Sequence, residues 1–336
     1  LKLISLHSGA RLIVAAALCV SLCAAAGPVR VIFDTDMGND VDDALALGIL
    51  HALESRGEAK LLAVTITKDN PYAAAFVDLE DTFYRRGEIP IGIVKNGKTP
   101  NDSPMIRVPS ERRNPDGSYV YPRRMALGAA PDAVGVLRQV LGKEEDASVT
   151  IVQVGFSTNL ARLLDSKSDE SSSLNGAQLV AKKVRLLVTM AGHFPPAQPE
   201  YNVVTDIPSA QKVFAEWPTP VVFSGFEIGQ ALLFRARSIE HDFSWVRDHP
   251  VVDAYRNYMH MPYDRPTWDL TAALYAVRPD DGYFSLSPNG TVRVDDKGNT
   301  LFTASAAGKH RYLILDAAAK ARTLEALILL ASQPRE

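Results

Sequence analysis

The chain has 336 residues, enough to bury a large core, and its 36 basic and 39 acidic side chains leave a net charge of −3. No basic block is dense enough to track a phosphate backbone, so nucleic acid is not an expected partner. Both cysteines, Cys19 and Cys23, fall in the first segment, and the rest of the chain must fold without disulfides.

That first segment has the pattern of an export signal. Lys2 and Arg11 form a positive region, Leu12 to Cys23 an apolar one, and Ala24-Ala25-Ala26 a small-residue cleavage site before Gly27. The expectation is a signal peptide over 1–26 and a periplasmic or extracellular mature protein. The apolar run is short of the ~20 residues a spanning helix needs. Leu18 and Leu22, each preceding a cysteine, do not suit lipoprotein processing. No stable membrane anchor is expected.

Val29 to Phe33 is a β-branched run, Ala44 to Leu53 has helical apolar spacing, and Leu61 to Ile66 is apolar and β-rich again, which predicts a βαβ opening. The alternation continues with a helix over Tyr72–Arg86, a strand at Ile91–Val94, a helix near Ala133–Leu141 and a strand at Val149–Val154. Further strands are predicted at Val184–Met190 and Pro220–Phe223. Lys95–Arg124 and the serine-rich Ser166–Ser173 read as long loops. Near the end, Tyr283–Leu286, Thr291–Val294 and Tyr312–Leu315 read as short antiparallel strands, with turns at Asn289-Gly290 and Lys297-Gly298, before a helix over Ala317–Ala331. Apolar strands alternating with helices predict an α/β fold, a mostly parallel central sheet flanked by helices, with small antiparallel strands near the C-terminus.

The stretch VIFDTDMGNDVDDAL, Val31 to Leu45, holds five aspartates: Asp34, Asp36, Asp40, Asp42 and Asp43. They leave the first strand at the edge where parallel sheets bind ligands. Carboxylates so crowded raise each other's pKa unless a cation sits among them. A turn with helix caps would use one or two acidic residues, not five. Oxygen ligands without nearby histidine or cysteine favour Ca²⁺ or Mg²⁺ over zinc. The calcium-binding helix-loop-helix motif does not fit, because its distal glutamate is absent and the stretch follows a strand.

Two enzyme families place an aspartate pair after the first strand. The haloacid dehalogenase group carries Thr or Val where this chain has Gly38. Val31 to Ala46 instead resembles the inosine-uridine-preferring nucleoside hydrolases: Asp34, Asp36, Gly38, then Asp42, Asp43 and Ala44, with Asp40 and Val41 as extra residues in the spacer. The resemblance continues through Leu62-Ala63-Val64-Thr65 with Asn70, through GFSTNLA at Gly155–Ala161, and through MAGHF followed by Glu200, Asn202 and Asp206. It ends with TWDLTAALYAV, which contains Trp268 and Asp269.

The resemblance implies a Rossmann-like catalytic domain over 27–336 that hydrolyses the N-glycosidic bond of ribonucleosides, a small-molecule substrate. It implies Ca²⁺ held by Asp36, Asp43, the Thr158 carbonyl and Asp269, with Asp40 a further candidate because the spacer leaves the register open. Asp36 is the candidate base for the attacking water and Asp42 the alternative; Asn70, Glu200 and Asn202 would grip the sugar, and Asp34 would brace the loop. Pyrimidine-accepting members carry a leaving-group histidine where this chain has Trp268. Tryptophan is no proton donor but stacks on a nucleobase, which resembles the purine-preferring branch. Two other readings stay open: a hydrolase of this fold acting on another glycosyl bond, and a nucleoside- or sugar-binding protein without turnover. The sequence also leaves open whether the chain forms a homo-oligomer.

Overall fold

Val29–Thr35 (β1) alternates its side chains between two apolar layers: Val31 and Phe33 enter one core, and Ile32 the other. A strand buried on both faces belongs inside a parallel sheet, and the computed structural model, which describes residues 27–335, shows one. The expected export signal, 1–26, lies outside the described residues.

The remaining strands are β2 (Ala59–Lys68), β3 (Ile91–Lys98), β4 (Val149–Gln153), β5 (Val184–Met190), β6 (Val221–Ser224), β7 (Leu233–Phe234), β8 (Arg265–Pro266), β9 (Ser285–Leu286), β10 (Gly290–Val294), β11 (Thr300–Ala304) and β12 (His310–Ile314). Ten of the twelve described strands, β1 included, form one sheet in the order β11-β10-β12-β6-β5-β4-β1-β2-β3, with β9 against β12. The run from β12 to β3 is parallel, while β10 and β11 form an antiparallel hairpin. β7 and β8 pair separately.

Helices cover both faces. Asp42–Ser55, Pro71–Phe83, Pro250–Tyr258, Trp268–Val277 and Ala317–Ala331 bury the larger core, and Ala133–Lys143, Thr158–Asp165, Gly176–Lys183 and Ile207–Glu216 bury the other. Asp42–Ser55 is buried continuously from Asp42 to Leu53, as a helix with little polar surface must be. No described helix is long and apolar enough to cross a membrane.

Three departures from the expected elements bear on the sheet and its loops. Tyr312–Leu315, expected as antiparallel, is β12, which runs parallel to β6 and antiparallel only to β9 and β10. Its apolar residues extend the main sheet, a pairing that local pattern does not encode. The strand Thr300–Ala304 was not expected, because only its hairpin with β10 makes a strand of a half-exposed segment. The loop Lys95–Arg124 contains the helix Pro104–Glu111, started by a proline in the first turn and pinned by the buried Met105 and Ile106.

Beneath the larger core His249 caps the helix Pro250–Tyr258: its Nδ1 accepts the Val251 N–H at 3.3 Å. Phe83, Phe243 and Trp245 surround the ring, and burial lowers its pKa from 6.5 to about 3. The folded state therefore binds fewer protons than the unfolded state between these values, so stability rises with pH through this window and is lost as pH falls. His249→Asn keeps a cap but removes the titration. Urea unfolding from pH 7 to pH 4.5 should show wild type losing stability relative to the variant by up to roughly 1.4 kcal/mol per pH unit. A pH-independent difference would show that the imidazole does not stay neutral.

Candidate active site

β1 has β2 and β3 on one side and β4, β5 and β6 on the other, so the chain reverses its direction of travel across the sheet at β1 and β4. A crevice opens at the carboxyl ends of strands at such a point. The segments that carry the expected site residues leave these strands: Asp36 follows β1, Gly155 to Thr158 follow β4, Glu200 and Asn202 follow β5.

Two features shape the first turn. Gly38 has φ +106°, a left-handed conformation that a side chain would strain, and a Cβ there would lie 2.5 Å from Ile106 Cδ1. Asp42 and Asp43 then open the helix Asp42–Ser55, while Asp269 sits in the first turn of Trp268–Val277. Two helix N-termini therefore converge, each favouring negative charge. Asp42 Oδ2 accepts the Asp269 backbone N–H at 3.0 Å and ties the two together.

Asp42, Asp43 and Asp269 each offer an oxygen, all within 4.8 Å of one another and all buried. Burial first, and neighbouring carboxylates second, push all three pKa values well above the usual carboxylate range. Asp43 Oδ1 accepts the Thr35 hydroxyl, but its buried Oδ2 has no partner among the described residues. An orphaned carboxylate oxygen facing two further carboxylates suits a hard cation. Asp36 is held at the edge of this group by Asn39 Nδ2 at 2.8 Å, and burial raises its pKa to about 6. The buried Lys68 in turn donates to Asn39 Oδ1 at 3.0 Å and to the Thr99 carbonyl at 2.8 Å.

These carboxylates line a cavity of about 350 Å³. Asp36, Asp40, Asp42, Asp43, Glu200, Asn202, Trp268 and Asp269 all reach it. Glu200 accepts backbone N–H groups from Gly192, Asn202 and Val203, and burial raises its pKa to about 7. Asn202 donates both amide hydrogens to the Val154 and Met190 carbonyls at 2.8 and 3.0 Å.

Four expected residues have placements of their own. Asn70 does not line the cavity: it caps the helix Pro71–Phe83 and donates to the Pro100 and Asn101 carbonyls. Thr158 is buried outside the lining, its hydroxyl donating to Asp206 at 2.5 Å. Asp34 accepts Thr65 Oγ1 at 2.6 Å and Asn159 Nδ2 at 2.8 Å, as a loop brace would. Asp40 is engaged by Arg265 through two hydrogen bonds.

Aromatic side chains line the same cavity. Trp268 Nε1 donates to the Phe226 carbonyl at 2.9 Å, and the two rings lie 5.3 Å apart. Tyr201, Tyr258, Phe226 and Arg265 also line the cavity and were not singled out from the sequence. The only local signal was their proximity to matched residues: Tyr201 lies between Glu200 and Asn202, and Arg265 four positions before Asp269.

The sequence model of the inosine-uridine preferring nucleoside hydrolases matches residues 31–325. The chain belongs to this family of N-glycosyl hydrolases. No curated protein sequence matches it. Among solved structures, an inosine-uridine preferring nucleoside hydrolase from Bacillus anthracis aligns over 91% of this chain and 99% of its own at 18% identity, with a TM-score of 0.64. A purine-preferring ribonucleoside hydrolase from Gardnerella vaginalis aligns over 90% and 98% at 17% identity, with a TM-score of 0.65. The type III effector protein XopQ, complexed with adenosine diphosphate ribose, aligns over 92% and 94% at 16% identity, with a TM-score of 0.62. At these identities the likeness shows a shared fold.

Gly155 sets how closely the loop after β4 approaches Asp36. A Cβ there would lie 2.6 Å from the Asp36 nitrogen and 2.8 Å from the Thr35 carbonyl carbon, and it would also crowd Thr67 Oγ1. Backbone cannot yield as a side-chain tip can, so Gly155→Ala should cost about 1–3 kcal/mol of stability. Denaturant unfolding measures this; an unchanged midpoint would mean that the two loops are not in contact.

Proposed function

We propose that the chain hydrolyses the N-glycosidic bond of ribonucleosides in a Ca²⁺-dependent reaction and prefers purine nucleosides. Family and fold support ribonucleoside hydrolysis itself. The observation that best supports the fuller reading is the meeting of Asp42, Asp43 and Asp269 in the wall of a cavity that Tyr201, Phe226, Tyr258 and Trp268 also line.

Asp36, Asp42, Asp43 and Asp269, with the main-chain carbonyl of Thr158, would hold the cation. When bound, Ca²⁺ supplies a Lewis acid that orients sugar hydroxyls and acidifies a water. Asp36 is suited to take a proton from the attacking water, since it lines the cavity and Asn39 fixes its orientation. With both amide hydrogens of Asn202 committed, its Oδ1 is left to accept a sugar hydroxyl. Glu200, clamped by three backbone N–H groups, faces the same sugar from a fixed position. Such fixed geometry is what an oxocarbenium-like transition state requires.

Trp268 has no proton to give the departing base, because its N–H is spent on the Phe226 carbonyl. Its contribution is apolar surface, which favours a two-ring purine over a pyrimidine. Inosine, guanosine and adenosine should therefore be cleaved faster than uridine and cytidine when free base and ribose are measured across a nucleoside panel. No release from any nucleoside would remove this reading.

Saturating Ca²⁺ should raise the melting temperature, since a ligand at a hundred times its Kd stabilises by about 2.7 kcal/mol. Asp43→Ala should abolish that shift together with turnover, whereas Asp40→Ala, which loses a partner of Arg265, should retain it. Coincident melting curves in excess chelator and in Ca²⁺ would eliminate the cation from the account.

A further inference from the structure

We propose that Arg265 reads the leaving base and sets a preference for 6-oxopurine nucleosides, inosine and guanosine, over adenosine. The proposal rests on ribonucleoside hydrolysis as proposed above.

Among the residues lining the cavity, Arg265 is the one cation, set among carboxylates and aromatic rings. Its backbone is pinned, because Arg265–Pro266 pairs with Leu233–Phe234. Its guanidinium carbon lies 5.1 Å from the centre of the Trp268 ring and 5.2 Å from that of Tyr258. Nε donates to Asp40 Oδ1 at 2.9 Å, while Nη2 donates to Asp40 Oδ2 and, at 3.0 Å, to the Tyr258 hydroxyl. One edge of the fork is thus locked, and Nη1 makes no hydrogen bond to any described residue. Asp40 belongs to the lengthened spacer between Gly38 and Asp42. The extra residues therefore have a use: they supply the carboxylate that aims Arg265.

The carboxylates and Asn202 claim the sugar, so the base must lie toward Trp268 and Arg265. There, fixed N–H donors favour an edge that accepts. A 6-oxopurine offers O6 and N7, both acceptors, whereas adenine offers N7 beside an amino group that donates. The same cation bears on bond cleavage. The water oxygen bonds to the anomeric carbon, its proton passes to Asp36, and the glycosidic electron pair leaves on the base nitrogen. The charge that gathers on the base is stabilised by the guanidinium until solvent protonates it. Arginine keeps its own protons throughout.

The full chain with Ca²⁺ should show kcat/KM for inosine and guanosine about tenfold to a hundredfold above that for adenosine. Arg265→Gln, checked for folding by its retained Ca²⁺-induced melting shift, should bring the inosine-to-adenosine ratio close to one. Tyr258→Phe, which removes one of the contacts that hold Nη2 in place, should lower the ratio in the same direction by less. Calorimetric binding of the bases alone should favour hypoxanthine over adenine in wild type and lose that preference in Arg265→Gln. A ratio unchanged by Arg265→Gln, a wild type that prefers adenosine, or equal binding of the two bases would overturn the proposal. Absence of nucleoside turnover would remove the hydrolase reading alone, and the base-binding comparison would still decide the role of Arg265.

Discussion

Four carboxylates, Asp36, Asp42, Asp43 and Asp269, meet almost without solvent at the edge of a parallel sheet, and they cannot all ionise unless positive charge reaches them. Much of the surrounding structure answers that constraint. Two helix N-termini point at the group, Thr35 donates to Asp43, and Lys68 acts through Asn39 on Asp36. These donors neutralise the perimeter only. The unpartnered Asp43 Oδ2 at the centre is the part of the demand that the protein leaves to a cation.

The βαβ opening was legible because its physics is local. Val31, Ile32 and Phe33 alternate between two cores, Asp42 to Leu53 has almost no polar surface, and Gly38 stands where a left-handed turn needs it. The acidic cluster was legible for the same reason: its density in one short stretch exceeds what capping requires. Asp269 was a different matter. Nothing local separates it from a helix cap, and only the order of the matched segments joined it to Asp42, 227 positions away.

What was not legible depends on pairing across the fold. β12 reads as a short polar-edged strand, and its parallel partner β6 is fixed only when the intervening chain has folded. Asp40 and Arg265 are separated by 225 positions, so the sequence could present Asp40 only as a further ligand candidate in an uncertain register. Asn70 shows the opposite limit. Its place in a matched motif suggested a sugar contact, yet its amide is taken up in a helix cap and two loop carbonyls. A motif conveys where a residue sits, but the free valences of its side chain are decided by neighbours the motif does not include.

The same distinction explains how a site without a leaving-group histidine is organised. Trp268 is held by its N–H and by the Phe226 ring, so it is a fixed wall, and it cannot change protonation as the bond breaks. Protonation and stabilisation are separable requirements for a departing base, and a permanent cation meets the second without the first. A bare guanidinium facing five acidic side chains would be drawn toward them. Asp40 takes one edge of the fork, which leaves Arg265 oriented beside the cluster, where its charge favours the ionised form of Asp42. The spacer that disturbs the motif is thus the element that fixes the orientation of the cation beside the carboxylates of the same cavity.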